Sequence, residues 1–337
     1  MNPSHARSIR RRHSGRQYLS GALLVVGQLF STATLLAQPA PQSAITLPTG
    51  PRYPNGIAVT ADGTIFTGFV TSGVILRQPT GGKWETYFPG SEHIHAATSL
   101  RLDPARNLLW GTSPDFLVEG RQPRRNRLFA LDVETAAVRR LIDVPEGSFA
   151  NDIAIEPDGG VLVTDSFKGR ILRLAPGADR LEATVDHPAL APPPAGIGVS
   201  GIARAGDGRL ALANFGTGRL LAVEVDGMVR EIRLPRMLAN PDGLALAADG
   251  ALIVCEGDIE GGNGRVLRIA DPFASGERTI QVLAARLESP VNLSLSPQQE
   301  VLVTEARIRH RLATTTRVPA PESFRIIRLG LGVAAAE

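Results

Sequence analysis

The sequence of 337 residues contains one cysteine, three methionines and few aromatic residues, and each scarcity narrows the range of possible structures. A single cysteine, Cys255, excludes a disulfide bond within the chain. Its apolar neighbours in "ALIVCEG" indicate a buried thiol in a protein core. The chain is instead rich in turn formers, with 35 Gly and 25 Pro, and this composition favours many short strands over bundled helices.

Several catalytic signatures are also absent. The chain has no Gly-x-Ser-x-Gly elbow, phosphate-binding loop, His-Glu-x-x-His or Cys-x-x-Cys motif. The formal net charge is +3, but residues 1–37 hold five arginines and no acid, so the rest of the chain carries a net charge of −2. Because the basic charge is confined to this first segment, nucleic acid is not an expected partner.

The first segment has the pattern of an export signal. Arginines precede the apolar run "YLSGALLVVGQLFSTATLLA", which predicts a signal peptide over residues 1–37 with cleavage after Ala37. An uncleaved anchor is the alternative, since the run approaches the ~20 residues that span a bilayer. Cleavage would give a secreted or periplasmic protein without membrane contact. We expect a linker over residues 38–43, one domain over 44–333, a tail over 334–337, and a monomer.

A pattern of strands recurs six times along the chain. Each copy has an alternating strand, a turn that is Asp-Gly in the clearest copies, and a second apolar strand. The copies start 43, 53, 49, 42 and 49 residues apart, at Asn55, Thr98, Asn151, Ser200, Asp242 and Val291. Units of four strands that repeat every ~40–50 residues are typical of a propeller. The sequence therefore predicts an all-β, six-bladed β-propeller with four antiparallel strands per blade.

The sixth copy lacks an outer strand, because the chain nearly ends after a third strand near Ser323–Leu331. We expect "AITLP", from Ala44 to Pro48, to supply that strand and close the ring, which removes an exposed sheet edge. A solenoid and a sandwich are the alternative architectures.

Equivalent positions of the six copies form rings around the predicted channel. The first ring comprises Asn55, Thr98, Asn151, Ser200, Asp242 and Val291, and the next position gives Gly56, Ser99, Asp152, Gly201, Gly243 and Asn292. A further polar ring is predicted at the end of the second strands, at Phe69, Thr112, Asp165, Asn214, Glu256 and Glu305.

The first ring is rich in oxygen-bearing side chains, which suit a hard cation such as Ca²⁺. The candidate metal ligands are Asn55, Asn151, Asp152, Asp242 and Asn292. Mg²⁺, Mn²⁺ and Zn²⁺ remain possible occupants. Asn and Asp at these positions could instead cap the turns between blades through hydrogen bonds to their own backbone.

Two other groups of residues could supply a general base. The carboxylates of the further polar ring could do so, although ion pairs between blades with Lys168, Arg265 or Arg307 are the favoured explanation for them. His93 and His95 in "EHIHAATS" precede the second inner strand, and alternation would place them on one face at the channel mouth. A hydrogen-bonded loop pair is the alternative for these histidines, and His187 and His310 lie in irregular insertions.

The repeated segments "NDIAIEPDGGVLVTDS" and "PDGLALAADGALIVCEG" resemble those of the superfamily of gluconolactonase, regucalcin, strictosidine synthase and paraoxonase. The resemblance covers residues 44–333 and implies a six-bladed propeller with a divalent metal in its channel. Asn151 and Asp242 match ligand positions of the gluconolactonase branch, whereas Asn55 stands where that branch has an acid. The resemblance implies hydrolysis of a lactone or ester, with Asp242 or a rim histidine such as His93 taking a proton from water.

Two other functions remain open at the level of sequence. The first is a non-catalytic propeller that binds a ligand or protein across its rim, favoured by the uncharged Asn55 and by Val291 in the first ring. The second is a lyase of the streptogramin type, with His95 or His310 and Glu305 over the channel.

Overall fold

The computed structural model describes residues 43–117 and 123–331, which form six sheets of four antiparallel strands each. This confirms the predicted all-β, six-bladed propeller. The predicted signal peptide over residues 1–37 and the tail over 334–337 lie outside the described residues. Among the described residues, no helix is long and apolar enough to cross a membrane.

The strands follow one another from the inside to the outside of each blade, and the first three blades use consecutive strands. Blade 1 contains β2 (Pro54–Val59), β3 (Ile65–Phe69), β4 (Ser72–Gln78) and β5 (Glu85–Pro89). Blade 2 contains β6 (Ser99–Asp103), β7 (Leu108–Ser113), β8 (Arg127–Asp132) and β9 (Val138–Asp143). Blade 3 contains β10 (Ala150–Ile155), β11 (Val161–Asp165), β12 (Arg170–Leu174) and β13 (Leu181–Asp186).

The remaining three blades repeat this order, and the last one also uses the first strand of the domain. Blade 4 contains β14 (Val199–Arg204), β15 (Leu210–Asn214), β16 (Arg219–Val223) and β17 (Val229–Ile232). Blade 5 contains β18 (Pro241–Leu246), β19 (Leu252–Glu256), β20 (Gly264–Ile269) and β21 (Gln281–Leu287). Blade 6 contains β22 (Pro290–Leu295), β23 (Glu300–Glu305), β24 (Arg325–Gly330) and β1 (Ser43–Thr46). Among the described residues, one α-helix, α1 (Arg309–Leu312), lies between β23 and β24, and two 3-10 helices are formed by Pro104–Arg106 and Pro188–Leu190.

Strand β1 closes the ring as predicted. It pairs antiparallel with β24 from Ser43 opposite Arg328 to Thr46 opposite Arg325. The pairing continues where the Leu47 N–H donates to the carbonyl of Phe324 at 2.9 Å. The outer edge of β24 is therefore covered by chain from the other end of the domain.

The core is divided into six clusters, each between two adjacent blades. Between blades 2 and 3, for example, Trp110 and Leu128 share a cluster with Ile153 and Val163. Cys255 is fully buried between blades 5 and 6, which confirms the expected core thiol. At the Asp-Gly turns the glycines have φ values of +80° to +99°, a conformation that explains their recurrence.

The six innermost strands enclose the channel, because each contacts the innermost strands of both neighbouring blades. In every blade except blade 2, the inner strand begins with a β-bulge, where two residues face one residue of the second strand. These bulged pairs are Asn55-Gly56, Asn151-Asp152, Ser200-Gly201, Asp242-Gly243 and Val291-Asn292. A bulge changes the direction of its side chains, so the first two predicted rings coincide with the places where the strands depart from regular pleating.

The glycines of these pairs are required by the close approach of the next inner strand. A Cβ atom on Gly201 would lie 2.0 Å from the carbonyl oxygen of Asp242, and one on Gly243 would lie 2.6 Å from the Cα of Asn292. Any larger residue at these two positions would push neighbouring inner strands apart.

The closing strand gives the first testable prediction. A variant that lacks residues 1–47 loses the ladder of β1 and exposes the edge of β24. We expect its free energy of unfolding to fall by about 3–5 kcal/mol, from roughly four lost backbone pairings and the partly buried Ile45. We also expect concentration-dependent association through the open edge. Chemical denaturation and light scattering measure the two effects, with a variant lacking residues 1–41 as the control. Equal stability of the two variants would contradict this role of β1.

Candidate active site in the central channel

The first ring lies on the face of the propeller that carries the long loops. In blade 3, the start of the inner strand at Ala150 pairs with the end of the second strand at Asp165. The loops that follow second strands and the loops that precede inner strands must therefore emerge on one side of the molecule. We call this side the loop face, and the ring of Asn55, Thr98, Asn151, Ser200, Asp242 and Val291 at its centre the entrance ring.

Three members of the entrance ring are partly accessible and three are buried. Asn55, Asn151 and Asp242 are the accessible ones. Thr98 and Ser200 are 2% and 0% exposed, and their hydroxyls bond to neighbouring strands, while Val291 is part of the apolar core. The ring therefore offers two amides and one carboxyl group to the channel.

The accessible side chains of the ring keep oxygen atoms without hydrogen-bond donors among the described residues. The Asn151 amide donates to the hydroxyl of Ser166 at 3.0 Å, which fixes the amide and leaves its oxygen free. No side-chain hydrogen bond is made by Asn55 or by Asp242 within the part of the chain that is described. The amide oxygen of Asn151 is thus oriented by the protein while it remains open to a ligand.

Asp242 is the most perturbed carboxyl group of the channel. It lies at the start of the inner strand of blade 5 and is partly buried there. Burial, and next the negative charge of Asp152, raise the pKa of Asp242 to about 8. A carboxyl group with this pKa can hold or release a proton near neutral pH, and a bound cation would favour its release.

The second layer of the channel is occupied by an arginine. Arg101 donates through Nη2 to Asp152 Oδ2 at 2.9 Å, and both of its Nη atoms lie 3.3 Å from Asn292 Oδ1. The other oxygen of Asp152 accepts a hydrogen bond from Ser99 Oγ at 2.6 Å. The three residues of the second ring that are not glycine, Ser99, Asp152 and Asn292, are thus joined around one guanidinium group, which we call the Arg101 bridge.

Sequence reasoning missed Arg101, although the repeat contains a signal for it. Two positions after the Asp152 position, the six blades read Ala58, Arg101, Ala154, Ala203, Ala245 and Ser294. Five small residues and one long cation at equivalent positions indicate a side chain that uses space left by the other blades. Extending the alignment of the repeats beyond the first two rings would have identified it.

The residues predicted as metal ligands separate into two groups. Asn55, Asn151 and Asp242 retain unpartnered oxygens on the entrance ring, and the isolated Asp242 carboxyl group favours a cation. Asp152 and Asn292 lie in the second layer and contact Arg101. No three Asp, Glu, His or Cys side chains of the described residues form a metal-ligand cluster, so a site here depends on amide oxygens. Such a donor set, with one carboxylate, fits Ca²⁺ with modest affinity and does not fit a tight zinc site.

The carboxylates at the ends of the second strands form structural ion pairs. Asp165 accepts from the Phe149 N–H at 3.0 Å and from Arg170 at 3.0 Å. Glu256 likewise accepts from the Ala239 N–H at 2.8 Å and binds two arginines. Although burial opposes it, hydrogen bonds from Arg236, the Ala239 N–H and Arg265 hold the pKa of Glu256 below its usual range.

Glu305 follows the same pattern, because it accepts from the Glu288 N–H at 2.7 Å and pairs with Arg325. In blade 2 the equivalent residue is Ser113 and not Thr112, which the repeat alignment had placed there. Ser113 pairs with Arg127 and accepts from the His95 and Ala96 N–H groups. The difference of one residue arises because six residues separate Leu102 from its partner Leu109 in blade 2, whereas five separate the equivalent pair Ile155 and Val161 in blade 3.

The predicted placement of His93 and His95 on one face is wrong. The segment that carries them is not a strand, and the side chain of His93 is 55% exposed next to Glu92. His95 is 5% exposed, and its ring nitrogens have no geometrically sound hydrogen-bond partner among the described residues. Burial and then Arg124 lower the pKa of His95, against the opposing effects of Asp115 and the Pro114 carbonyl.

A different histidine lies beside the entrance ring. His310 of α1 forms a hydrogen bond of 2.9 Å between its Nε2 and the hydroxyl of Tyr53, two residues before Asn55. Burial is the main cause that lowers the pKa of His310, so the imidazole is neutral near pH 7. Tyr53 is buried and has a φ of +62°, an uncommon conformation for an aromatic residue that the surrounding contacts must maintain.

Apolar side chains surround the channel mouth on the loop face. Phe116, Phe149 and Phe167 form a row with ring centroids 4.9 Å and 5.0 Å apart. Phe116 of blade 2 and Phe215 of blade 4 both pack against the cluster that contains Val291 of the entrance ring. Because they come from different blades and reach one cluster, they extend over the mouth. Phe167, at 46% exposure, presents an aromatic surface beside Ser166, the partner of Asn151.

Comparison with known proteins shows the fold. Neither protein-family models nor curated proteins match the sequence. Among solved structures, a gluconolactonase from Xanthomonas campestris has 16% identity and a TM-score of 0.59, over 88% of this chain and 93% of that one. A catalytically inactive virginiamycin B lyase from Staphylococcus aureus, with quinupristin, has 17% identity and a TM-score of 0.58, over 88% and 90%. The PQQ-bound aldose sugar dehydrogenase from Streptomyces coelicolor has 17% identity and a TM-score of 0.56, over 87% and 99%. These similarities establish a six-bladed propeller, and they span three chemistries.

The raised pKa of Asp242 gives a prediction for the metal-free protein. The folded state holds the proton up to about pH 8, whereas the unfolded chain releases it near 3.8. Stability should therefore fall as pH rises between about 4 and 8, because the folded state binds more protons in that range. Asp242→Asn should remove this loss and raise the Tm at pH 8 by at least about 2 °C, with no change at pH 4.

Thermal unfolding in the presence of a chelator measures this effect. Asp179→Asn, at an exposed aspartate, is the matched control and should follow the wild type. A parallel pH dependence of wild type and Asp242→Asn would show that Asp242 does not titrate in the folded protein.

The buried ion pairs give a prediction that separates structural from catalytic carboxylates. Glu256→Gln should lower the free energy of unfolding by about 2–3 kcal/mol, because Arg236 and Arg265 lose their common anion. The matched control is Glu182→Gln, which disrupts an ion pair whose side chains are 81% and 72% exposed and should cost little. Urea denaturation measures both variants. A variant Glu256→Gln with wild-type stability would contradict the structural role.

Proposed function

We propose that this protein is a hydrolase that opens a lactone or an ester at the entrance ring, with a divalent cation, first of all Ca²⁺, as its cofactor. The observation that supports this most is the Asp242 carboxyl group, which is partly accessible, has no hydrogen-bond donor among the described residues and is raised in pKa to about 8. Groups of this kind are typical of general bases and of ligands to cations.

Asn55, Asn151 and Asp242 would hold the cation through their unpartnered oxygens. Bound there, a divalent cation polarises a carbonyl group and lowers the pKa of a coordinated water molecule. The hydrogen bond from Asn151 to Ser166 holds the amide group in place before any ligand binds and leaves its oxygen available. This preorganisation reduces the cost of ordering the site around its substrate.

The chain would carry out the proton transfers of hydrolysis. Ionised Asp242 accepts a proton from water, and the hydroxide adds to the carbonyl carbon of the substrate. The carbon–oxygen bond of the ester then breaks, and the departing alkoxide takes a proton to become an alcohol. In a lactone, acid and alcohol remain on one hydroxy acid. The Tyr53–His310 pair lies on the Asn55 side of the mouth, where it could donate that proton.

The apolar rim suggests the type of substrate. Phe167 exposes an aromatic face next to the Ser166–Asn151 pair, and Phe116 and Phe215 extend over the mouth. An ester or lactone with an apolar substituent would bury area against these rings, which a sugar lactone would do less well. On the basis of residues 1–37, we also propose that the enzyme acts outside the cytoplasm after signal cleavage.

The test combines ion binding with turnover. Calorimetry with Ca²⁺, Mg²⁺, Mn²⁺ and Zn²⁺ should detect one ion, and a panel of lactones and esters should include a substrate whose hydrolysis stops with chelator and resumes with added ion. Asn151→Ala should weaken ion binding by about tenfold or more. Asp242→Asn should reduce kcat/KM by at least about 100-fold, the usual contribution of a general base.

Asp179→Asn is the control, since Asp179 is exposed in the turn between β12 and β13, outside the entrance ring. It should retain ion binding at temperatures where it is folded. Absence of ion binding together with absence of turnover on the whole panel would reject the hydrolase and favour a non-catalytic binding propeller.

The His310–Tyr53 pair favours a lyase as the second candidate. A neutral imidazole beside a phenol at the channel mouth could remove a proton from carbon next to a carbonyl group. Glu305, the acid that sequence analysis placed with it, is instead committed to Arg325 and to the Glu288 N–H. Product analysis in ¹⁸O-labelled water separates the two reactions, because only hydrolysis incorporates solvent oxygen.

A further inference from the structure

The Arg101 bridge places a permanent positive charge inside the channel. The side chain of Arg101 is 19% exposed and that of Asp152 is 3% exposed, so the pair is largely shielded from water. Arg101 starts from blade 2, reaches Asp152 in blade 3, and contacts Asn292 in blade 6. One guanidinium group therefore links three blades around the channel axis.

The partners of Arg101 are the kind of oxygen atoms that would otherwise bind a hard cation. Asp152 supplies a carboxylate and Asn292 an amide oxygen, and Nη1 of Arg101 also donates to the Leu100 carbonyl at 2.9 Å. Ser99 joins the layer through Asp152, to which its hydroxyl donates at 2.6 Å. Their other hydrogen bonds come from backbone N–H groups, at Ile153 and Ile202 for Asp152 and at Leu293 for Asn292. The oxygens of Asp152 and Asn292 therefore accept hydrogen bonds from Ser99, from these backbone N–H groups and from the guanidinium group of Arg101.

We propose that Arg101 acts as a built-in cation, which neutralises Asp152 and confines a divalent ion to the entrance ring. A divalent ion in the second layer would lie against a fixed positive charge and would compete with it for the same oxygens. Arg101 is thus a residue that determines ion number and affinity, and it takes no part in the chemical step. The proposal rests on the proposed function for the ion at the entrance ring.

Arg101→Met tests the proposal, because methionine fills most of the space and removes the charge. In calorimetry with Ca²⁺, Mg²⁺ and Mn²⁺, we expect this variant to bind a second ion, or one ion at least about tenfold more tightly than the wild type. Adding Asp152→Asn to Arg101→Met removes the freed carboxylate and should abolish the gain.

Arg106→Met is the matched control. Arg106 lies in the same blade and pairs with Asp103 at 3.1 Å, but at the turn that ends β6, outside the Arg101 bridge. It should bind ions as the wild type does. If Arg101→Met, folded by circular dichroism, shows the ion number and affinity of the wild type, the proposal is overturned.

Arg101→Gln replaces Arg101→Met if the latter does not fold, since glutamine retains amide donors for Asp152 and Asn292. Asp152→Asn alone provides the reverse test, because it leaves the guanidinium charge uncompensated and should weaken ion binding at the entrance ring by about tenfold. An ion that binds Arg101→Met but not the wild type would reject the proposed function and support the built-in cation. Ion-dependent turnover in the wild type, together with unchanged ion binding in Arg101→Met, would support the proposed function and reject the built-in cation.

Discussion

The arrangement of the channel depends on the contact between neighbouring inner strands where the channel begins. At Gly201 the next strand comes so near that a Cβ atom would meet the Asp242 carbonyl oxygen at 2.0 Å. The bulge at the start of five of the six inner strands places one side chain toward the channel, and in blades 4 and 5 it leaves the following position with almost no room. The entrance ring and the glycines behind it are consequences of this one packing requirement.

In three blades the second ring has a polar residue where the others have glycine. These buried polar side chains need hydrogen-bond partners, and the Arg101 bridge provides them. Ser99, Asp152 and Asn292 bring polar atoms into a space that excludes most water, and a buried carboxylate without a partner would be costly. Arg101 satisfies two of the three residues directly. Asp242, which has no such partner, instead keeps its proton to higher pH. Two carboxyl groups in one channel are thus stabilised in different ways, one by charge pairing and one by protonation.

The architecture could be predicted because propeller blades repeat, and each copy supports the assignment of the others. The alternating strands, the Asp-Gly turns and the closing strand at Ala44–Pro48 all follow from local patterns that recur. Prediction failed where one blade departs from the repeat. In blade 2 a turn with one additional residue places Ser113 at the position that the repeat alignment assigned to Thr112. The segment with His93 and His95 is an irregular loop, so one histidine is exposed and the other is buried. Arg101 and the Tyr53–His310 pair depend on contacts between blades far apart in sequence, which no pattern within a single repeat specifies.

The same fold holds a gluconolactonase, a lyase and a sugar dehydrogenase, so the scaffold does not select the reaction. Selection must come from what each chain places inside its channel. Here the entrance ring offers two amides and one carboxyl group, and the layer behind it already contains a cation. Because Arg101 already occupies the oxygens of Asp152 and Asn292, the oxygens left open for a divalent ion are those of the entrance ring on the loop face. Under the proposed function, a substrate at that ion would lie beside the aromatic rim of Phe116 and Phe167, and the rim would then be the part of the molecule that decides specificity.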